Sequence, residues 1–198
     1  MPMKKLLCLL LALAVLTLAG CGSQSPAPAE TTEPETAAPT ETAEENDGAV
    51  TSIAALLEAA MAAPSAWASY PAEFIVMTDP DVRTAVSSFL PHGKFLAKAP
   101  LGFMVCGDLA RACHGELSYM IQDCSACVEN LLVAAHLLGL GACWLGVHPN
   151  VDRVEKVRDY FHLPENIIPV AAIAVGWSGK IPPPRTNYES EQVHLNAW

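Results

Sequence analysis

Histidine, cysteine and carboxylate come close together at one place in this chain. His114-Gly115-Glu116 is followed by Cys124-Ser125-Ala126-Cys127. A His-x-Glu paired with a Cys-x-x-Cys is one way to hold a hydrolytic zinc ion, with the glutamate as general acid and base. The fit is poor here. No proline precedes Cys124, the two halves are too close together, and Cys124 falls inside an apolar stretch. A redox dithiol is the second chemistry such spacing allows, but no thioredoxin-like context surrounds it. Small residues packing a helix crossing is the plainest reading. Five cysteines follow Cys21, an odd number, so they cannot all pair internally. Gly139-Leu140-Gly141 lacks the third glycine of a dinucleotide fingerprint, and a helical pattern precedes it where a strand should stand. No HExxH, P-loop or GxSxG is present. An organic cofactor is therefore the simplest source of chemistry.

The element that must position such chemistry runs from Tyr119 to Val147. It reads as one long apolar helix, a glycine stop at Gly139 and Gly141, and a short strand from Ala142 to Val147. Past Asn130 the helix has almost no polar face, which predicts burial on most sides. The run from Leu131 to Val147 is about long enough to span a membrane. His136 and two glycines interrupt it, however, and no aromatic or basic anchors flank it. Upstream, Ile53 to Met61 has helical spacing, with Thr51 or Ser52 as cap and Pro64 beyond its end. A strand follows at Phe74 to Met77. Asp79 caps a helix opening on Pro80 and running to Phe89. Lys94 to Lys98 is short and amphipathic, and Leu101 to Cys106 is a buried strand. Asn150 caps a helix from Val151 to Phe161. Ile167 to Trp177 does not alternate, which predicts a strand buried on both faces.

The chain has 198 residues and 52% hydrophobic composition, enough for one domain with a good core. Its 21 Asp and Glu against 11 Lys and Arg argue against a nucleic-acid surface, and no basic stripe appears. Residues 1–20 read as a signal peptide: Lys4 and Lys5, an apolar run from Leu6 to Leu18, then Leu18-Ala19-Gly20-Cys21. That ending resembles a bacterial lipobox, which implies lipidation of Cys21 and anchoring at the extracytoplasmic face of the cell membrane. An ordinary signal peptide with a cysteine at the cut is the alternative. Residues 21–48 carry the lipidated cysteine and an Ala/Pro/Thr/Glu-rich tether. From Gly22 to Gly48 the tether holds seven acidic residues and no Lys or Arg, so it is expected to stay disordered and extended. The folded domain is expected to span residues 49–198.

Several separate motifs carry a resemblance. QDCSACVENLLVAAHLLGLGACWLG resembles the central helix and cofactor-proximal strand of the nitroreductase family. APLGFMVCGD is similar to that family's second strand, and Ile168-Pro169 matches its last one. Ala63-Pro64-Ser65-Ala66 with Pro71 and Phe74 is similar to its "APSAxNxQPWxF" loop. Ala68, Tyr70 and Ala72 stand where the family has Asn, Gln and Trp. The resemblance covers about Ile53 to Trp198. It implies an α+β nitroreductase-like fold with a mixed or antiparallel central sheet, flanking helices and an extended C-terminal arm. It also implies a homodimer.

The activity implied is FMN-dependent oxidoreduction, with NAD(P)H as reductant and a nitroaromatic, quinone or similar small molecule as acceptor. The chemistry belongs to the flavin, so no catalytic side chain is assigned, and no metal. The resemblance places Cys143, Trp144, Leu145 and Gly146 against the flavin ring and Ser65 in a cofactor-wrapping loop, where a turn serine also fits. It assigns Arg185, in Lys180-Ile181-Pro182-Pro183-Pro184-Arg185, to the FMN phosphate, which guanidinium can bond at two oxygens. A surface arginine is the alternative for Arg185, and a solvated lysine for Lys94, which lies in a region near the family's cofactor. One departure stands out. The family's RRSxR segment before the first helix is missing, and no Lys or Arg occurs between Lys5 and Arg83. The competing reading is a flavin-poor, lipid-anchored binding or scaffold protein on the same fold.

Overall fold

Ten consecutive residues with almost no polar side chain can be buried on both faces only in the middle of a sheet. In a computed structural model of the chain, which describes residues 44–179, 183 and 186–198, Ile167–Gly176 forms that strand. With the other strands numbered in chain order, it is β4. It pairs antiparallel with β2 (Leu101–Asp108) on one side and β3 (Gly141–Gly146) on the other, and β1 (Ala72–Met77) pairs antiparallel with β2. The sheet order is β1-β2-β4-β3. Pro169 has no N–H to give to a ladder. The register slips between Val105 and Cys106 where Pro169 pairs, and the Val170 carbonyl turns to accept the Val147 and His148 amides at 3.1 and 3.0 Å. The bulge thus tolerates a proline in a central strand and fixes the turn that leaves β3.

Period-two alternation divides the apolar residues of the sheet between two layers. Phe103, Val105, Ala171 and Ile173 face α1 (Glu44–Met61) and α3 (Leu117–Leu137). Met104, Cys106, Ala172 and Ala174 face α2 (Pro80–Phe89) and α4 (Val151–Phe161). Asn130 ties α3 to α1 by donating from Nδ2 to the Ala59 carbonyl at 3.0 Å. Buried Arg83 on α2 donates to the Met77 and Thr78 carbonyls at 3.1 and 2.6 Å, which satisfies the end of β1.

Helix ends follow the expected residues. The Asp79 carboxylate accepts the Asp81 amide at 2.8 Å, and the Asn150 side chain accepts the Arg153 amide at 3.1 Å. Gly139 takes a φ of +75° after α3, and the Leu140 amide reaches back to the Ala135 carbonyl at 2.8 Å. The run from Leu131 to Val147 is therefore a helix end, a turn and a strand. No helix among the described residues is long and apolar enough to cross a membrane.

Two expectations are corrected. The first helix does not start after a cap at Thr51 or Ser52. It begins at Glu44, inside the stretch assigned to the tether and upstream of residue 49. The acidic residue types there suit a helix N-terminus as well as they suit a solvated chain. The apolar half of α3 is also less buried than its composition predicts. Val133, Leu137 and Leu138 are exposed, Leu137 by 79%. The sheet and α1 cover two sides of this helix, and nothing among the described residues covers the third.

Candidate functional site

Of the residues expected against a flavin, Trp144, Leu145 and Gly146 share a cleft. It has a volume of about 200 Å³ and lies between the end of β3, the turn Leu90–Gly93 and Arg153. Local sequence builds it. The helix α2 stops at Phe89, and the Gly93 amide closes a turn onto the Leu90 carbonyl at 2.9 Å. A Cβ on Gly93 would lie 2.7 Å from the Leu90 Cβ and 3.3 Å from the Leu145 Cδ1. Only glycine lets this turn rest on β3. Leu145 points into the core, while Trp144 and Gly146 face outward. A Cβ at Gly146 would meet nothing within 4 Å, so the strand ends in bare backbone.

Arg153 closes the far wall. Its Nη1 donates to the Gly146 carbonyl at 2.9 Å. A cation in the first turn of a helix opposes the macrodipole, and the carbonyl bond offsets that. His92 lines the same cleft, and exposed Lys94 follows Gly93 directly. Bare strand backbone, a partly exposed indole and a group of basic side chains suit a planar ring that carries an anionic tail. FMN is such a molecule, so the donor set fits. The volume does not suffice alone, because small-molecule sites usually enclose about 300–1,000 Å³.

Cys143 lies elsewhere. It lines a separate cleft of about 340 Å³ with Lys98, Pro100 and Trp177. Its thiol is exposed, and partial burial raises its pKa.

Ser65 is on the opposite side of the sheet. It lines a cavity of about 450 Å³ bounded by the end of α1, the start of β1 and Asp123 of α3. The Ser65 Oγ accepts the Tyr70 amide at 2.8 Å, closing the loop. The Asp123 Oδ1 accepts the Ala66 amide at 2.9 Å. Within this loop Trp67, Ala68 and Tyr70 have φ of +54°, +52° and +46°. Strands β1 and β3 form the two edges of the sheet, three inter-strand steps or roughly 14 Å apart. One chain therefore does not bring Ser65 to Trp144–Gly146. Arg185 and Cys21 lie outside the described residues.

His92, Gly93, Arg153 and Asp123 are the residues that sequence reading missed. A basic residue at the third position of a helix and a carboxylate inside an apolar one were the available signals. The Cys-x-x-Cys is structural. Cys124 is fully buried and its thiol donates to the Cys106 carbonyl at 3.5 Å. Burial pushes Cys106 and Cys124 each up to about 12, and raises Cys127 as well. Among the described residues no three His, Cys, Asp or Glu side chains are grouped to hold a metal.

The comparisons with known proteins agree with this architecture. The model of the nitroreductase family matches residues 87–177. A protein of Methanothermobacter thermautotrophicus described as "Putative NADH dehydrogenase/NAD(P)H nitroreductase" is 37% identical over 143 residues, covering 72% of this chain and 74% of its own. A crystal structure under the same description, from Parabacteroides distasonis, superposes with a TM-score of 0.70 at 37% identity, over 75% of this chain and 86% of that one. An FMN reductase (NADPH) of Bacillus subtilis is 26% identical over 166 residues, covering 72% of this chain and 65% of its own. The antiparallel sheet with helices on both faces is the nitroreductase-like α+β fold, and this chain belongs to the nitroreductase family.

Proposed function

We propose that the protein is an FMN-dependent NAD(P)H oxidoreductase that reduces small acceptors such as nitroaromatics or quinones. The observation that carries this reading is the cleft at the end of β3, with its bare Gly146 backbone and the Arg153 guanidinium. The names of relatives support it: an NAD(P)H nitroreductase and an FMN reductase. When bound, FMN supplies hydride transfer between a reduced nicotinamide and the acceptor. The chain's own part is to bind and orient. The backbone of Trp144–Gly146 would hold the ring, and backbone dipoles there would stabilise negative charge on it. Lys94 and Arg153 supply positive charge near where the anionic tail would lie, His92 offers a ring nitrogen beside them, and Arg185, assigned to the phosphate by the family resemblance, would add a cation.

A second copy of the chain completes the site in this reading. Two observations support it. Ser65 and β3 lie at opposite edges of the sheet with β2 and β4 between them, which suits a ligand site shared between two chains. Val133, Leu137 and Leu138 leave an apolar strip of α3 uncovered, which suits a homodimer.

The visible spectrum of purified residues 22–198, before and after adding FMN and desalting, tests the reading. A retained yellow chromophore that NADH or NADPH bleaches is the expected result. A protein that stays colourless sinks it in favour of a flavin-poor binding protein. The leader motif supports lipidation of Cys21 and an extracytoplasmic anchor. Replacing Cys21 with serine should then release the protein from membranes, and unchanged sedimentation with them would refute the anchor.

A further inference from the structure

The loop between α1 and β1 is pinned from end to end. The Asp123 Oδ1 accepts the Ala66 amide at 2.9 Å, and the Ser65 Oγ accepts the Tyr70 amide at 2.8 Å. The Ser65 carbonyl accepts the Ala68 amide at 3.1 Å, and the Tyr70 carbonyl accepts from the Arg111 guanidinium. Between these anchors Trp67, Ala68 and Tyr70 take left-handed backbone. Side chains persist in that conformation only where their surroundings enforce it, and such places gather at functional sites. What the strain produces here is the position of Trp67. Its side chain is 86% exposed and meets His114 at an angle, with ring centroids 6.0 Å apart. His114 is itself left-handed, at a φ of +55°. Trp177 and Trp198 are exposed too, but Trp177 follows the last residue of β4 and Trp198 ends the chain. Trp67 is the exposed tryptophan that a closed loop holds out. A large flat side chain presented in this way is a common anchor for a partner or ligand.

We propose that Trp67 of one copy roofs the cleft at the end of β3 in a second copy and stacks there on a flat aromatic acceptor. The inference rests on the two-chain flavin reading above. Within one chain the Trp67 loop and Trp144–Gly146 belong to opposite edges of the sheet. The cleft's own walls enclose about 200 Å³, less than a small-molecule site usually does, so the cleft lacks a wall. Trp67, for its part, lacks a cover. The exposed strip of Val133, Leu137 and Leu138 on α3 gives a second copy somewhere to pack. An indole interacts best with another flat π-system, offset and stacked. The roof therefore favours an aromatic ring over a compact acceptor that has no flat face. Trp67 touches no reacting atom in this arrangement, and its role is to set specificity.

Cross-linking tests the placement without any reference to flavin. The full chain is taken with Cys8, Cys21 and Cys143 replaced by serine, so that the four remaining cysteines are buried. Trp67→Cys and His92→Cys together should then give a covalent dimer with a short bismaleimide, read by denaturing electrophoresis. Neither substitution alone should do so. No dimer from the double variant, or the same dimer from a single one, would overturn the proposal. Initial rates on FMN-loaded protein test the selectivity. Trp67→Ala should lower the ratio of kcat/KM for 1,4-naphthoquinone to that for ferricyanide at least tenfold, and Trp67→Phe should restore most of it. An unchanged ratio would overturn the proposal. A chain that cross-links as expected but binds no FMN refutes the flavin reading and the acceptor class with it. A yellow protein that fails to cross-link refutes the role of Trp67 and leaves the flavin reading standing.

Discussion

Arg153 in the first turn of α4 donates to the Gly146 carbonyl at the end of β3, seven residues earlier, at 2.9 Å. This bond fixes the guanidinium beside the strand end that a flavin would face. Arg153→Ala should raise the dissociation constant for FMN about tenfold, equivalent to ~1.4 kcal/mol. Quenching of FMN fluorescence during titration measures it. An unchanged constant would remove Arg153 from the site.

Gly93 is required by space and not by conformation. Its φ of −96° is open to any residue, yet a Cβ would lie 2.7 Å from the Leu90 Cβ. Gly93→Ala should therefore destabilise the fold by about 1–3 kcal/mol through overpacking. Urea unfolding reads this directly, and a variant as stable as the parent would show that the turn yields freely.

The Asp123 latch on the Ser65 loop gives a paired prediction. Asp123→Ala leaves the Ala66 amide without its acceptor and should cost about 1–3 kcal/mol. Asp123→Asn retains an acceptor oxygen and should lose less. Equal losses in both variants would show that the charge, and not the hydrogen bond, holds the loop.

Stability should depend on alkaline pH. Cys106 and Cys124 are each pushed up to about 12 by burial, from an ordinary 9.0. Between these values the unfolded chain releases thiol protons that the folded chain keeps, so ionisation favours unfolding. The contribution is fully present below pH 9 and lost as pH rises toward 12. Cys124→Ala should flatten the decline in denaturation midpoint across that window, and an unaltered slope would contradict this.

Thiol modification should be selective. Cys143 is the one exposed thiol among the described residues, whereas Cys106, Cys113, Cys124 and Cys127 are buried. Its raised pKa slows reaction at neutral pH. Brief alkylation followed by peptide mapping should find Cys143 labelled before those four. Earlier labelling of Cys127 would mean that the cavity beside β1 opens readily.

Periodicity and capping residues made the fold legible where local rules act alone. Asp79, Asn150 and Gly139 mark helix ends in the sequence and in the structure alike. The unbroken apolar run from Ile167 announced a central strand. The start of α1 was hidden because acidic residues serve a helix N-terminus and a solvated tether equally. The exposure of Leu137 was hidden because composition cannot say how many neighbours a helix has. At the site, the Trp144–Gly146 strand was legible through resemblance. Arg153 and His92 were not, because only the packing of α4 and the Leu90–Gly93 turn on β3 brings them there. Ser65 was singled out, but its neighbour Asp123 is 58 residues away in the chain, and no local pattern links them.

The order β1-β2-β4-β3 sets a timetable for assembly. The last strand to be synthesised is the one that joins β2 to β3. Until residue 176 is available, β1 and β2 can pair only with each other, and β3 has no partner at all. The apolar face of α3 must wait for a sheet that is not yet there. Such non-local closure slows folding and leaves the nascent chain with sticky surface for most of its synthesis. Folding after the whole domain has been made, not alongside synthesis, is the route this topology imposes.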